Sequence, residues 1–297
     1  MEHFYLIANP SKSGAEQVAG QVAGYLRAHG ATCQGSIQEK RGEGAAYGYT
    51  DEKQVPPKTQ CVITLGGDGT LIQAARDLVK LQLPMIGINM GNLGYLTQIA
   101  REEAIGPMLD ALLADNFRLE KRMMLSGRVA PWGKGFEGAE KGCPGPGAKE
   151  GIALNDIILT RKDVMQVLKF QVYVNGELLN EYMADGMIVA TPTGSTAYNL
   201  SAGGPIVTPE AKLIILTPIC AHSLNSSSIV LSHKDRIGIR VLENVGQKQM
   251  AVFDGDQAVD LGGCEMLEIW ESCRYTTLIK LNDIPFLENL RNKLARV

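Results

Sequence analysis

The feature that most constrains the fold of this chain is the stretch at residues 65–71, Leu-Gly-Gly-Asp-Gly-Thr-Leu. It follows an apolar run at residues 61–65, which is typical of a buried parallel strand, and it precedes residues 71–79, whose apolar spacing predicts a helix packed on a sheet. Closely spaced glycines allow a sharp turn that presents backbone N–H groups, and the positive end of the helix dipole favours phosphate. The stretch therefore predicts a phosphate-binding strand–turn–helix unit.

One carboxylate, that of Asp68, lies among these glycines. A carboxylate repels a phosphate unless a cation bridges the two groups or the carboxylate has a proton to accept. Asp68 is therefore the first indication of phosphoryl-transfer chemistry. The other familiar phosphate motifs do not occur in the sequence, which has neither a GxxxxGK[ST] loop nor a complete GxGxxG after a strand.

The first part of the chain alternates strands and helices. Strands are predicted at residues 4–8, 61–65 and 84–89, helices at residues 18–30, 71–79 and 102–113, and an exposed connection at residues 34–59. The order βαβαβα predicts a parallel sheet with helices on its faces, in which ligands bind beyond the carboxyl ends of the strands. In the polar turn at residues 9–14, Ser11, Lys12 and Ser13 either hold a phosphate or form an ordinary capped loop.

From about Phe117 the pattern changes to short strand-like segments separated by Asn-Gly, Asp-Gly and Gly-Gly turns. These segments lie at residues 124–130, 151–160, 169–174, 187–190, 213–216, 236–241, 250–253 and 265–270. They predict a second, mainly β domain. The Gly- and Pro-rich residues 131–150 predict a surface insertion, and residues 286–294 predict a terminal amphipathic helix.

Composition narrows the class of protein. The formal net charge of −3 gives no general basic field, so a nucleic-acid partner is not expected. The first residues do not resemble a signal peptide, and no apolar run approaches the length of a membrane span, so no membrane partner is expected either.

The six cysteines form no CxxC pair and the four histidines no HxxxH pair. We expect reduced thiols, a cytoplasmic protein and no zinc site built by the chain itself.

Two motifs of the second domain could bind a nucleotide. Asn155 and Asp156 end a strand-like approach, and they either form a simple β-turn or read the donor and acceptor edge of a base or sugar. Residues 184–205 run from a short strand into a hydroxyl-rich turn and a small-residue helix that carries Tyr198. Hydroxyls and free N–H groups suit ribose and phosphate oxygens, and a tyrosine ring suits stacking on a base.

Taken together, these motifs resemble the bacterial type of NAD kinase, in the ATP-NAD kinase family. The segments that carry the resemblance are GGDGT at residues 66–70, GNLGYL at 91–96, Asn155-Asp156, the run at 191–205, PICAHSL at 218–224 and FDGD at 253–256. They occur in the family's order and span nearly the whole chain.

The resemblance implies a kinase that transfers the γ-phosphoryl group of ATP to the 2′-hydroxyl of the adenosine ribose of NAD, giving NADP and ADP. It implies Mg²⁺ or another divalent cation that arrives with ATP, and a homotetramer or homodimer. It also implies an α/β, Rossmann-like N-terminal domain at residues 1–121 and an all-β-like C-terminal domain at residues 122–283. A C-terminal helix within residues 284–297 would return to the first domain.

The resemblance assigns the role of catalytic base to Asp68. The residues it places in nucleotide binding are Gly66, Gly67, Gly69, Thr70, Tyr95, Asn155, Asp156, Asp185, Thr196, Ala197, Tyr198, Asn199, Leu200, Ser201, Cys220 and Asp256, with Cys220 acting mainly through its backbone. Two positions depart from the family pattern. Met183 stands where a basic residue is common, and Asp256 precedes Gln257 where the family commonly has Asp-Gly-Gln, which leaves two candidates for one role.

Three alternatives share part of this pattern. A lipid kinase of the diacylglycerol type has the GGDGT turn, but residues 91–95 and the run at 191–198 differ from what it would require. A phosphofructokinase-like sugar kinase fits less well. A non-catalytic NAD-binding sensor would keep the pocket and lose turnover, and the presence of Asp68 disfavours it.

Overall fold

A computed structural model describes residues 1–37, 39–40, 48–91, 94–97, 99, 104–132, 149–162, 167–222, 227–242, 248–281 and 286–294. The chain divides into two compact units. The first comprises Met1–Lys121 and Thr276–Val297, and the second comprises Arg122–Tyr275. The domain limits expected at 121/122 and 283/284 stay predictions, since the two units are defined by compactness alone.

The helices and strands of the described residues have the following bounds. The helices are α1 (Ala15–Ala28), α2 (Asp68–Asp77), α3 (Ile105–Leu113), α4 (Tyr198–Ser201) and α5 (Phe286–Leu294), with short 3₁₀ turns at Glu52–Gln54 and Thr193–Thr196. The strands are β1 (His3–Ala8), β2 (Thr32–Ile37), β3 (Glu39–Lys40), β4 (Gly48–Tyr49), β5 (Cys61–Gly66), β6 (Pro84–Asn89), β7 (Arg118–Pro131), β8 (Glu150–Ala153), β9 (Asp156–Arg161), β10 (Leu168–Val174), β11 (Glu177–Ala184), β12 (Gly186–Ala190), β13 (Leu213–Ile219), β14 (Ile229–Ser232), β15 (Ile237–Val241), β16 (Gln249–Phe253), β17 (Gln257–Leu261) and β18 (Glu265–Lys280).

The first unit is built on a parallel sheet in the order β2–β1–β5–β6–β18, to which β18 contributes Thr277 and Leu278. The central strand β5 is buried over its whole length. Its nearly continuous apolar sequence is what a strand covered on both faces requires. Parallel strands end at the same edge, so the loops after β1, β5 and β6 share one edge of this sheet.

Helices cover both faces of that sheet. Val18, Val22 and Leu26, spaced four residues apart along α1, are buried against one face, where they share a core with Leu109 and Leu112 of α3. Helix α2 packs on the opposite face, against β5 and β6. Layers of this kind are the expected result of alternating strands and helices.

The second unit is a β-sandwich. One layer has the strand order β11–β10–β15–β18, and the other is a six-stranded antiparallel sheet in the order β14–β13–β12–β9–β16–β17. Alternate residues of the two layers meet in one core, with Phe170 and Val172 from the first layer and Met187 and Val189 from the second. The alternation follows from the two-residue repeat of a strand.

The predicted fold class is confirmed: an α/β, Rossmann-like N-terminal part precedes an all-β-like C-terminal part, and the C-terminal helix belongs to the first unit. Three details differ. Residues 34–59 were expected to be a connection, but they include most of β2 together with β3 and β4. The expected strand at residues 151–160 is broken into β8 and β9. The edge strands β11, β14 and β17 were not predicted.

Two further expectations concern cysteines and membranes. Cys33, Cys61, Cys220 and Cys264 are free thiols, whereas Cys273 is disulfide-bonded, so the expectation of reduced thiols is wrong at Cys273. Within the described ranges, none of the helices is both long and apolar enough to span a bilayer. Most of the predicted insertion at residues 131–150 lies outside the described residues.

Candidate active site

The glycine-rich turn of the first unit lies where three strand ends meet. Strand β5 ends at Gly66, and α2 begins at Asp68 after an N-cap glycine. The N–H of Asn9, after β1, donates to the carbonyl of Leu65 at 2.9 Å, and the N–H of Met90, after β6, donates to the carbonyl of Gly66 at 2.8 Å. The loops after β1 and β6 are therefore tied to the predicted phosphate-binding turn.

Thr70 is held inside this turn. Its side chain is 4% exposed, and its hydroxyl oxygen accepts a hydrogen bond from the amide of Asn9 at 3.1 Å. The backbone of Gly66 passes so close to Thr70 that a side chain at residue 66 would overlap it. Thr70 therefore shapes the turn from within. Asn9 was not among the predicted site residues, although its place directly after an apolar strand could have indicated it.

The carboxylate of Asp68 accepts hydrogen bonds from three consecutive backbone N–H groups, those of Tyr95, Leu96 and Thr97. The Leu96 N–H lies 3.2 Å from each carboxylate oxygen, and the Thr97 N–H lies 2.9 Å from Oδ1. The Thr97 hydroxyl donates to the same oxygen at 2.9 Å. These bonds join the two glycine-rich turns of the first unit and fix the position of the predicted base.

The approach of this loop to Asp68 requires a glycine. A Cβ atom added to Gly94 would overlap the carboxylate of Asp68. The amide of Asn89, at the end of β6, donates to Oγ1 of Thr97 at 3.1 Å and supports the loop from below. Asn89 and Thr97 were not predicted from the sequence, because nothing in their spacing shows that residue 97 reaches back to residue 68.

In the second unit a different carboxylate holds the Asn155-Asp156 motif. Asp254, in the turn between β16 and β17, accepts the N–H groups of Leu154, Asn155 and Asp156 at 2.8, 2.7 and 3.2 Å. The N–H of Asp254 donates in return to the carbonyl of Asp156 at 3.0 Å. The gap between β8 and β9 is thus a turn wrapped around the Asp254 side chain.

Asp156 lies in an electrostatic environment unlike that of an ordinary surface carboxyl. It is 4% exposed, and burial raises its pKa to about 7, with a further contribution from the negative charge of Asp254. A carboxyl group with such a pKa exchanges its proton near neutral pH and can act as donor or acceptor toward a ligand hydroxyl.

The hydroxyl-rich turn after β12 packs on the same three-residue segment. The Thr191 hydroxyl donates to the carbonyl of Leu154 at 2.6 Å, and the Thr191 N–H donates to the carbonyl of Asn155 at 2.8 Å. A Cβ atom on Gly194 would overlap the Asn155 carbonyl. The structure therefore brings together Asn155, Asp156 and the start of the run at residues 191–205.

The helix that follows divides its side chains between core and surface. Asn199 is fully buried, and its amide nitrogen donates to the carbonyls of Ser195 and Pro205 at 3.2 and 3.1 Å, while its oxygen accepts from the Thr217 hydroxyl at 2.7 Å. Tyr198 is 46% exposed. The ring of Tyr198 is accessible to a ligand, whereas the Asn199 side chain is occupied inside the protein.

Two predicted residues of this unit lie apart from that group. Asp185 precedes β12, where its N–H donates to the carbonyl of Ile219 at 2.9 Å, and Cys220 follows directly with a left-handed φ of 47°. The carboxylate of Asp185 pairs with Arg161 at 3.1 Å. Asn155 and Asp156 lie at the opposite end of β12, about 16 Å away for a five-residue strand. Within one chain the structure therefore does not bring Asp185 and Cys220 to Asn155.

The turn at residues 254–257 contains Asp256 and Gln257, the two residues that the sequence left as candidates for one role, and it places them differently. The N–H of Asp256 donates to the carbonyl of Phe253 at 3.1 Å, which closes a tight turn. The amide of Gln257 donates to the carbonyl of Glu150 at 3.0 Å, so its side chain is engaged with β8. The sequence indicated no structural role for Asp254, whose carboxylate holds the turn at residues 154–156.

Comparison with known proteins agrees with the geometry. A family model described as the ATP-NAD kinase N-terminal domain matches residues 4–117, and one described as the ATP-NAD kinase C-terminal domain matches residues 154–281. The chain is 39% identical to an NAD kinase of Lachnospira eligens over 306 residues, covering 99% of this chain and 100% of the relative. It is 40% identical to an NAD kinase of Agathobacter rectalis, covering 99% of each.

Solved structures show the same fold. Yeast NADH kinase complexed with NADH superposes with a TM-score of 0.81 at 22% identity, covering 99% of this chain and 88% of that one. An NAD kinase from Archaeoglobus fulgidus in complex with ATP gives a TM-score of 0.73 at 21% identity, covering 99% of each chain. The identities to these two show the fold alone, whereas the family models and the bacterial relatives show more: the chain belongs to the ATP-NAD kinase family.

Proposed function

We propose that this protein transfers the γ-phosphoryl group of ATP to the 2′-hydroxyl of the adenosine ribose of NAD, giving NADP and ADP. The observation that carries the proposal is the placement of Asp68. Its carboxylate stands at the first residue of α2, in a glycine-rich turn suited to phosphate, and it is fixed by the N–H groups of Tyr95, Leu96 and Thr97. A base and a phosphate site at one turn are what phosphoryl transfer to an alcohol needs.

In the proposed reaction the carboxylate of Asp68 accepts the proton of the ribose 2′-hydroxyl. The 2′-oxygen forms a bond to the γ-phosphorus, the bond from that phosphorus to the β,γ-bridging oxygen breaks, and ADP leaves with the electron pair. General-base help contributes about 10²–10⁴-fold, so positioning and charge stabilisation supply most of the acceleration. The fixed carboxylate favours this step because it does not have to be oriented when substrate binds.

The Thr97 hydroxyl has a particular place in this proposal. Among the described residues, four donor groups meet the Asp68 carboxylate, and three of them belong to the backbone. The hydroxyl of Thr97 is the donor whose hydrogen turns about a single bond. We propose that the ribose 2′-hydroxyl takes the place of this hydrogen on Asp68, because the change requires no movement of the backbone.

We propose that the second unit binds NAD through the group at one end of β12. Asn155 and Asp156 would contact ribose or base, and the accessible ring of Tyr198 would stack on a base. Thr196, Ala197, Leu200 and Ser201 would line the same part of the site. Asn199 would contribute by holding its helix, because its amide is engaged with Ser195, Pro205 and Thr217.

The proposed turn residues of the first unit, Gly66, Gly67, Gly69, Thr70 and Tyr95, would hold the reacting part of the two substrates. A divalent cation such as Mg²⁺ would enter as part of the ATP complex and neutralise phosphate charge. Across the described ranges, no group of three or more His, Cys, Asp or Glu side chains is placed to hold a metal ion.

We also propose that the protein is a homodimer or homotetramer in the cytoplasm. Edge strand β11 leaves Leu178 and Met183 more than half exposed, and exposed apolar side chains at the edge of a sheet favour association. Asp185 and Cys220 lie at the far end of β12 from Asn155, so a second copy could supply them to the site. Sedimentation velocity on the wild-type protein tests this; a monomer at micromolar concentration would contradict it.

The function is tested with purified protein, ATP, Mg²⁺ and NAD, and NADP is read by a dehydrogenase specific for NADP. We expect NADP to form in the wild-type protein. In the Asp68→Ala variant we expect turnover to fall by about 10²–10⁴-fold, while calorimetry finds little change in NAD affinity. Asp110→Asn, a change to an exposed carboxylate bonded to Tyr25 in the same unit, is the matched control. NAD binding without any NADP would contradict the proposal.

A further inference from the structure

We infer that Asp254 is a positioning residue that sets the geometry in which Asn155 and Asp156 meet NAD, an inference that rests on the function proposed above. Asp254 is not proposed to touch substrate. It acts through the backbone of residues 154–156, which it holds by three hydrogen bonds.

The three hydrogen bonds give partners to N–H groups of this segment that would otherwise lack them. Leu154 and Asp156 are buried, and buried N–H groups without partners are costly. A carboxylate is suited to this task because each of its oxygens accepts more than one bond, and bonds to a charged acceptor are stronger than neutral ones. The Asp254 side chain thereby decides where β8 ends and β9 begins.

A second anchor holds the same segment through its other polar groups. Thr191 donates to the carbonyls of Leu154 and Asn155, so Asp254 engages the donors of the segment and Thr191 engages its acceptors. With both sets engaged, the segment has little freedom to shift. Asn155 remains partly exposed, so its amide is available to a ligand from this fixed backbone.

The backbone of Asp254 is itself adapted to the role. Its φ is +48°, in the left-handed region, which Asp and Asn adopt more readily than other residues with a side chain. This conformation closes the turn between β16 and β17, and the N–H of Asp254 then reaches the carbonyl of Asp156 at 3.0 Å. Asn is therefore a substitution that keeps the backbone and alters the charge.

The proposed role of Asp254 also has a measurable electrostatic effect. The negative charge of Asp254 adds to the effect of burial in raising the pKa of Asp156. Across the sheet, Asp156 faces the apolar Ala190 of β12, and Asp254 is the charged group that acts on it among the described residues. Removal of that charge lowers the pKa of Asp156, while burial still holds it above the usual range.

The test measures steady-state kinetics and their pH dependence in Asp254→Asn and Asp254→Glu. In Asp254→Asn we expect the KM for NAD to rise about tenfold, while the KM for ATP changes by less than about twofold. The pH midpoint assigned to Asp156 in kcat/KM for NAD should move to lower pH. Asp254→Glu keeps the negative charge but moves the oxygens away from the three N–H groups, so its KM for NAD should rise while that midpoint moves less than in Asp254→Asn.

The matched control is Asp260→Asn, an exposed carboxylate in β17 that forms a surface ion pair with Lys162. Equal rises in both KM values, an unchanged KM for NAD, or a pH midpoint that does not move in Asp254→Asn would each overturn the inference.

If the wild-type protein binds NAD but forms no NADP, the proposed function fails while NAD calorimetry on the same variants still tests Asp254. If it binds no NAD, both fail. If Asp254→Asn does not fold, Asp254→Glu and Thr191→Val supply the test, and an unchanged KM for NAD in both would overturn it.

Discussion

Two carboxylates, one in each unit, hold a loop in the same way and serve different ends. Asp68 accepts the N–H groups of residues 95–97, and Asp254 accepts those of residues 154–156. Asp68 stands at the start of α2 in a parallel α/β unit, whereas Asp254 lies in a hairpin turn of a β-sandwich. The same hydrogen-bonding device therefore arises on two unrelated backbones.

The difference between them lies in what stands next to the carboxylate. Beside Asp68 the neutral hydroxyl of Thr97 adds a donor that can rotate, and its oxygen accepts a hydrogen bond from the amide of Asn89. Beside Asp254 is a second carboxyl, that of Asp156, whose pKa is raised to about 7. In the first unit, the loop holds the carboxylate of Asp68, which we propose reacts. In the second unit, the carboxylate of Asp254 holds the segment that we propose binds NAD, and its negative charge acts on Asp156.

Among changes that leave both carboxylates in place, the largest effect is expected from Gly94→Ala, which breaks the contact between Asp68 and its loop. The added methyl would overlap the carboxylate, so either the loop or the base must move. A displacement of about 1 Å at a reacting group can cost about 10²-fold in rate, and we expect kcat to fall by that order. Gly106→Ala in α3, where a Cβ meets open space, is the control. Wild-type turnover in Gly94→Ala would show that the contact is not needed.

A smaller effect, on the pH dependence of stability, is expected from Asp156, the carboxyl group next to Asp254. The folded-state pKa of Asp156 is raised above its unfolded value, so between about pH 4 and pH 7 the folded state binds more protons than the unfolded state. Stability should therefore fall as pH rises through this window, by at most about 1.4 kcal/mol per pH unit. Asp156→Asn should remove this contribution. Urea unfolding at several pH values measures it, and identical pH slopes in the two proteins would refute it.

The smallest effect is expected from Thr97→Val, which removes the hydroxyl that distinguishes the Asp68 loop. The three backbone N–H groups remain, so the carboxylate should keep its place. The hydrogen bond from the amide of Asn89 to the Thr97 hydroxyl is lost, at a cost of about 1 kcal/mol in stability. We expect kcat to change by less than about fivefold. A loss as large as that in Gly94→Ala would mean that the hydroxyl, and not the backbone, fixes the base.

The sequence predicted the parts of the fold that depend on local pattern. The apolar run before Gly66 gave the buried strand β5 with nearly its observed bounds, because a strand covered on both faces needs such a run. The edge strand β11 was not predicted, because its first five residues are exposed and carry no alternating pattern. The segment at residues 151–160 was expected to be one strand, although Asn155 and Asp156 offered a β-turn as one interpretation. Its cause was missed, since the side chain responsible lies about 100 residues later in the chain.

The same limit applies to the candidate site. Asp68 could be singled out because a carboxylate among glycines conflicts with phosphate unless it has a chemical task. Thr97, Asn89 and Asp254 could not, because their roles depend on contacts that only the folded chain creates. Asn199 shows the reverse case: motif position suggested contact with a ligand, and burial shows that its amide is occupied by the protein.

The use of consecutive backbone N–H groups around Asp68 has a consequence for how the loop can vary. Every residue except proline supplies an N–H, so the half-buried side chain at position 95 can be exchanged without removing a donor. Gly94, by contrast, must lack a side chain, because a Cβ atom there would overlap the carboxylate itself. An engineer could therefore vary residue 95 while leaving the placement of the acid untouched.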